Sequence, residues 1–200
     1  MTTDELNDVP ERIMEEATRL FVTRGYHGIS MREIAEAVGV SKAGLYYHFK
    51  DKEDLFIAIL TTNLEQIDRI ITQARQTGQT AREQISQIMQ AILGQAPHQR
   101  AIIRLASQEL EQLSQGARDQ FDQLYQAKFV DQLAAILREG SAHGELRPIN
   151  ASAATWILLG MAYPYLDPAH ARDVAGMSEA VDAIISIFFD GVANPAGQND

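Results

Sequence analysis

Between Ser30 and Lys52 the chain collects side chains that carry positive charge, donate hydrogen bonds or present aromatic faces: Ser30, Arg32, Ser41, Lys42, Tyr46, Tyr47, His48, Lys50 and Lys52. Lysines and arginines neutralise phosphates, and hydroxyls and N–H groups at helix starts can face them. Such a set is suited to binding a polyanion. Lys42, Ala43 and Gly44 open a short helix and would approach base edges. Gly44 costs about 1 kcal/mol of helix propensity relative to Ala, which a close approach to a ligand would explain. Tyr46, Tyr47 and His48 cannot all face inward from consecutive helical positions. Leu45 and Phe49, four apart, take the core, so at least two of those three side chains must point outward.

The elements that hold these residues follow from local signals. Ser30 with Glu33 has the capping-box spacing, and Ile34, Ala35 and Val38 mark one helical face. Gly39 ends that helix in a left-handed conformation, and Ser41 caps a second helix of about two turns. The unit is a helix-turn-helix, whose second helix can lie in the major groove of DNA. Upstream, Asp8 with Glu11 predicts the cap of a first helix, with Ile13, Ala17, Leu20 and Phe21 as its apolar stripe and Gly25 as its end. Downstream, Asp51 predicts the cap of a fourth helix running to about Gln76, roughly 38 Å long.

Helical signals continue to the end of the chain and strand signals are nearly absent, so the expected fold class is all-α. Thr80 with Glu83 forms a second capping box; Gly94 and Pro97 separate that helix from one reaching about Leu113. After a break at Ser114–Gly116 a long helix is expected through Leu137, ended by the loop Gly140–Pro148. Asn150 caps a helix to about Tyr163, Asp167-Pro168 marks a brief helical turn, and Gly176 precedes a last helix from Ser178 to about Val192. The expected organisation is a helix-turn-helix domain over residues 8–50, a connecting helix over 51–76 and a second helical domain over 77–193.

Composition narrows the function classes. The hydrophobic fraction of 46% indicates a folded protein, and the absence of cysteine excludes disulfides, thiol redox sensing and cysteine-zinc sites. The formal charge is −10, of which residues 1–50, with six Lys/Arg and eight Asp/Glu, carry −2 and the rest −8. That balance argues against a general nucleic-acid coat but permits binding through one face. The acidic start is not a secretory signal and the apolar run Ile157–Ala162 is too short to cross a bilayer, so no membrane association and a cytoplasmic location are expected. His27, His48, His98, His143 and His170 are scattered, and neither a phosphate loop, a nucleophile elbow nor HExxH occurs. Neither a metal, a cofactor nor a catalytic residue is expected.

The stretch SMREIAEAVGVSKAGLYYHFKDKEDL, with ATRLFVTRGYHGIS before it, resembles the TetR family of bacterial transcriptional regulators over about Asp8–Ile67. The resemblance implies that Tyr46 and His48 contact phosphates and that Tyr47 approaches bases or phosphates. It also implies that Arg32 reaches a base edge or phosphate, although Glu36 four residues on is a ready partner for it, and that Lys52 adds a phosphate contact. Ser30, Ser41, Lys42, Ala43 and Gly44 complete the expected DNA-binding set.

The resemblance further implies a homodimer on a palindromic double-stranded operator, released as a repressor by a small-molecule inducer. The expected interface is the last two long helices, at Trp156, Leu159, Val181, Ile184, Ile185, Phe188 and Phe189, because a helix apolar on two sides needs two partners. The alternative is burial of these faces within one subunit. Candidate pocket residues are Met89, Ile92, Arg104, Gln108, Phe121, Tyr125, Phe129, Trp156 and Tyr163, a lining suited to a hydrophobic ligand. The competing reading is a DNA-binding regulator controlled by a protein partner, without an inducer.

Overall fold

A computed structural model describes residues 3–167 and 174–192, and every regular element among them is helical. In chain order these are α1 (Thr3–Arg24), α2 (Met31–Val38), α3 (Lys42–His48), α4 (Lys52–Thr77), α5 (Ala81–Leu93), α6 (Pro97–Glu109), α7 (Gln115–Tyr125), α8 (Asp131–Ala142), α9 (Ala151–Ala162) and α10 (Val174–Val192). Contacts group the chain into two units: residues 1–63 with 101–122, and residues 64–100 with 123–200.

In the first unit the end of α1 and the caps of α2, α3 and α4 fall where the sequence puts them. Gly25 stops α1 at a φ of 75°, its N–H bonded to the Phe21 carbonyl at 2.8 Å. Ser30 and Glu33 close the capping box on α2, and Gly39, at a φ of 78°, ends it by donating to Ala35. The Ser41 hydroxyl accepts from the Gly44 N–H at 2.9 Å. Asp51 caps α4 by accepting from the Asp54 N–H at 2.8 Å, while Asp54 accepts from the Lys50 N–H at 2.9 Å. Ile13, Phe21, Ile34, Leu45, Leu55 and Phe56 are buried together as the core of this unit. Phe21 and Phe56 meet edge to face at 5.4 Å, and Tyr26 packs 4.9 Å from Phe56.

In the second unit, Thr80 and Glu83 form their capping box on α5. Glu145, from the loop after α8, adds a cap from far along the chain by accepting from the Ala81 and Arg82 N–H groups at 2.8 and 3.1 Å. Gly140 lets α5 and α8 approach: a Cβ there would stand 2.8 Å from that of Ala81. Arg75 pairs with Glu139 at 2.8 Å. The buried Arg100 guanidinium donates to the Leu93 and Gln95 carbonyls at 2.6 and 2.8 Å, tying off the end of α5 where cations are favoured.

Four boundaries differ from the sequence reading. α1 begins at Thr3, ahead of the predicted cap at Asp8. α6 stops at Glu109 and tightens into a 3₁₀ turn, Leu110–Gln112. The helix predicted through Leu137 is interrupted by a π-turn, Gln126–Val130, and continues to Ala142. Gly176 lies inside α10, which starts at Val174. The predicted turn at Asp167-Pro168 lies partly outside the described residues.

Candidate nucleic-acid interface

α3 is positioned by three local devices: the left-handed Gly39 that turns the chain after α2, the Ser41 cap, and the inward anchors Leu45 (fully buried) and Phe49. With those anchors inside, Ser41, Lys42, Ala43, Tyr46 and Tyr47 are exposed, while Gly44 and His48 are partly covered. Tyr47 is 85% exposed and Tyr46 42%. An aromatic ring left that far in water gains little from folding and is available to a partner. The Lys42 ammonium stands 5.7 Å from the Tyr46 ring centroid, and Tyr47 meets His48 edge to face at 5.1 Å.

The side chains of α2 are more occupied. The Ser30 hydroxyl accepts from the Glu33 N–H at 3.3 Å and donates to the Glu33 carboxylate at 2.7 Å. Arg24, which the sequence reading did not single out, donates to that carboxylate at 2.7 Å and to the Gly28 carbonyl at 3.0 Å. Hydrogen bonds from the Ser30 side chain, Arg24 and the Ser30 N–H hold the Glu33 carboxyl well below its ordinary value, at about 2. Gly28 is needed in this turn, since a Cβ would lie 2.2 Å from the Arg24 carbonyl oxygen. Arg32 donates from Nε to Glu36 at 2.8 Å, the pairing the i+4 spacing allows, with both side chains exposed.

Lys52, expected at a phosphate, has partners within the head. Its ammonium donates to the Tyr26 and Ile29 carbonyls at 2.9 and 3.0 Å and sits 4.4 Å from the Tyr26 ring centroid. Two backbone carbonyls and an aromatic face give it local partners, and burial lowers its pKa. It ties the first turn of α4 to the loop that leads into α2. Beside it Glu53 accepts from both the Ser114 N–H and hydroxyl, at 2.8 and 2.6 Å. Tyr26, buried beneath Lys52, has its phenol pushed up to about 12, first by desolvation and then by Glu53, Asp51 and Glu109. No helical period marks these partners, which lie 23 to 61 residues apart in sequence.

The expected interface and pocket residues are sorted by burial. Val181, Ile184, Ile185, Phe188 and Phe189 are at most 5% exposed and are packed inside the second unit. The apolar side chains that do face outward are Trp156 and Ile157 on α9, at 51% and 60%, and Ile187 on α10, at 67%. Leu159 is half-buried. Trp156 and Tyr163, proposed as pocket lining, are exposed and stand away from the interior because the buried face of α9 is taken by Ala151, Ala154, Thr155, Leu158 and Ala162. Met89, Ile92 and Phe129 are buried in the second unit. Tyr125 packs 5.6 Å from Phe129, and burial pushes its phenol up to about 12. Arg104, Gln108 and Phe121 belong to the first unit; Phe121 is buried and Gln108 exposed. An open groove of about 460 Å³ lies along α5 and α10, lined by Arg82, Glu83, Ser86, Gln87, Asp182 and Ile185. Among the described residues no cluster could hold a metal ion, and no helix is long and apolar enough to cross a membrane.

Bacterial regulatory proteins of the tetR family match residues 13–59, and the tetracyclin repressor-like C-terminal domain matches residues 78–167. The chain belongs to the TetR family. It is similar to the HTH-type transcriptional activator FasR of Mycolicibacterium smegmatis, at 35% identity over 82 residues. That match takes in 41% of this chain and 37% of FasR, little more than a third of the relative's length. The TetR-family regulator PfmR from Thermus thermophilus superposes with a TM-score of 0.78 at 26% identity, covering 92% of this chain and 97% of PfmR. AibR, solved in complex with isovaleryl coenzyme A and operator DNA, gives a TM-score of 0.74 at 26% identity, covering 90% of this chain and 98% of AibR.

Proposed function

We propose that this TetR-family chain is a transcriptional repressor that binds a palindromic operator as a homodimer and is released by a small hydrophobic ligand. The observation that carries the reading is the outward set on α3, Lys42, Ala43, Tyr46 and Tyr47, on a helix whose orientation is fixed by Gly39, Ser41, Leu45 and Phe49. Ser30, Arg32, Ser41, Gly44 and His48 contribute contacts around it, and Lys52 positions the loop before α2. DNA recognition is assigned to residues 8–50, with 51–76 connecting them to a ligand-binding and dimerising domain over 77–193. The work of such a protein is cytoplasmic.

A single small head offers few contacts, and two heads about 34–36 Å apart would meet successive major grooves. The exposed Trp156, Ile157 and Ile187 support an interface made by α9 and α10. Met89, Ile92, Tyr125 and Phe129 support an apolar ligand, and the isovaleryl coenzyme A bound by AibR makes short acyl thioesters the first class to test. Ligand binding that favours a different head separation, with a coupling of about 1–3 kcal/mol, would weaken operator binding roughly five- to 150-fold. The same exposed apolar surface favours a second reading, a regulator controlled by a protein partner. Fragments selected from the source genome test the main reading in a fluorescence-anisotropy titration. Isovaleryl coenzyme A and a homologous acyl series are then added; release of DNA supports an inducer, and stabilisation without release removes it.

A further inference from the structure

Resting on the DNA-binding reading above, we infer that the head reads guanine and thymine directly and brings neither an amide to adenine nor a carboxylate to cytosine. Lys42 donates to the O6/N7 edge of a guanine in the major groove, and Ala43 with Tyr47 lies against the C5-methyl group of a thymine.

Adenine is read by a side chain that both donates and accepts, which Asn and Gln supply; cytosine by a carboxylate; guanine by a cationic donor; thymine by apolar contact with its methyl group. The run Ser41–Lys50, SKAGLYYHFK, contains neither Asn, Gln, Asp nor Glu. The neighbouring polar groups have partners within the head. The Ser41 hydroxyl holds the Gly44 N–H at 2.9 Å, Arg32 is paired with Glu36, and His48 is partly covered with its ring against Tyr47. What remains at the outward face is one ammonium, one methyl group and two phenols.

Their arrangement divides the work. Ala43 and Tyr47 are four residues apart and therefore lie on one side of α3. Gly44, between them in sequence, adds no side chain to hold the backbone away from a base edge. This makes an apolar strip from a methyl group to a ring that is 85% exposed. Lys42 lies beside it, flanked by the Tyr46 ring at 5.7 Å. Tyr46 and Lys50 are left for the phosphate backbone, which positions the head without adding sequence information.

The test uses the full-length protein. A duplex enriched from a random pool is resynthesised with single replacements: guanine by 7-deazaguanine, which removes N7; thymine by uracil, which removes only the methyl; and adenine by 7-deazaadenine. Affinities are compared at one fixed salt concentration. At one guanine and one thymine per half-site each replacement should weaken binding at least about fivefold, with up to about 150-fold for loss of a full guanine contact. The 7-deazaadenine duplexes should bind like the parent. Lys42→Gln should then move the preferred base at the guanine position towards adenine, with an unchanged thermal melt. An enriched duplex insensitive to 7-deazaguanine and uracil, or sensitive to 7-deazaadenine, overturns this inference alone. A pool that yields no enrichment overturns the DNA-binding reading and the inference with it.

Discussion

Ile184 and Ile187 are three residues apart on α10, yet one is 4% exposed and the other 67%. The two should therefore fail differently when cut back to alanine. Ile184→Ala leaves a cavity in the second unit and should cost about 2–5 kcal/mol, a large share of the roughly 5–15 kcal/mol that holds a domain together. Ile187→Ala removes a side chain that the chain itself barely covers, so stability of the dissociated subunit should change by no more than about 0.5 kcal/mol. In a twofold interface, however, each residue is lost twice. Full burial of an isoleucine is worth about 1.5–3 kcal/mol, and the exposed two-thirds of it gives about 2–4 kcal/mol per dimer. The dimer dissociation constant should rise roughly 30- to 700-fold. Sedimentation equilibrium over a concentration series measures the dimer. Thermal melts taken below the dissociation constant measure the subunit, because dimer melts depend on concentration. A parent-like dimer for Ile187→Ala, together with a dissociated but fully stable Ile184→Ala, would refute this assignment of the two faces.

Three further outcomes follow from the geometry. Lys52→Met removes the ammonium that holds the Tyr26 and Ile29 carbonyls and should lower unfolding free energy by about 2 kcal/mol. The slope of log affinity against log salt should stay the same, whereas a slope reduced by about one would make Lys52 a phosphate contact. Glu33 has its folded carboxyl at about 2 against an ordinary 4.5, so its stabilising effect is complete above about 4.5 and is lost as pH falls towards 2. Relative to the intrinsic rate at each pH, amide exchange of α2 should speed up over that window in the parent, and Glu33→Gln should exchange fast throughout; a flat parent profile contradicts the network. Gly140→Val places side-chain atoms where even a Cβ would stand 2.8 Å from that of Ala81, and a melting temperature equal to the parent's would show that α5 and α8 are not in close contact.

What the sequence made legible was local. The Ser30–Glu33 box, the turn at Gly39 and the Ser41 cap each involve residues within a few positions of one another, so spacing alone locates α2 and α3. That at least two of Tyr46, Tyr47 and His48 point outward followed from the inward need of Leu45 and Phe49. The fate of Lys52 did not, because its partners are carbonyls 23 and 26 residues away, and carbonyls carry no residue-type signature. For the same reason the Glu145 cap on α5, 64 residues from Ala81, was invisible. On α10 the apolar pattern revealed an excess of hydrophobic surface but not its division. Val181, Ile184, Ile185, Phe188 and Phe189 go inside, and Ile187 is left out. The π-turn at Gln126–Val130 leaves no trace in an apolar pattern that continues through it.

Whether the outward face of α3 meets DNA is read from the operator affinity of Lys42→Ala/Tyr47→Ala in fluorescence anisotropy. The sedimentation coefficient and melting temperature of the same preparation are measured alongside. Both side chains are exposed, so the expected result is an unaltered fold and assembly with affinity reduced at least about tenfold. Parent affinity in that variant would contradict it.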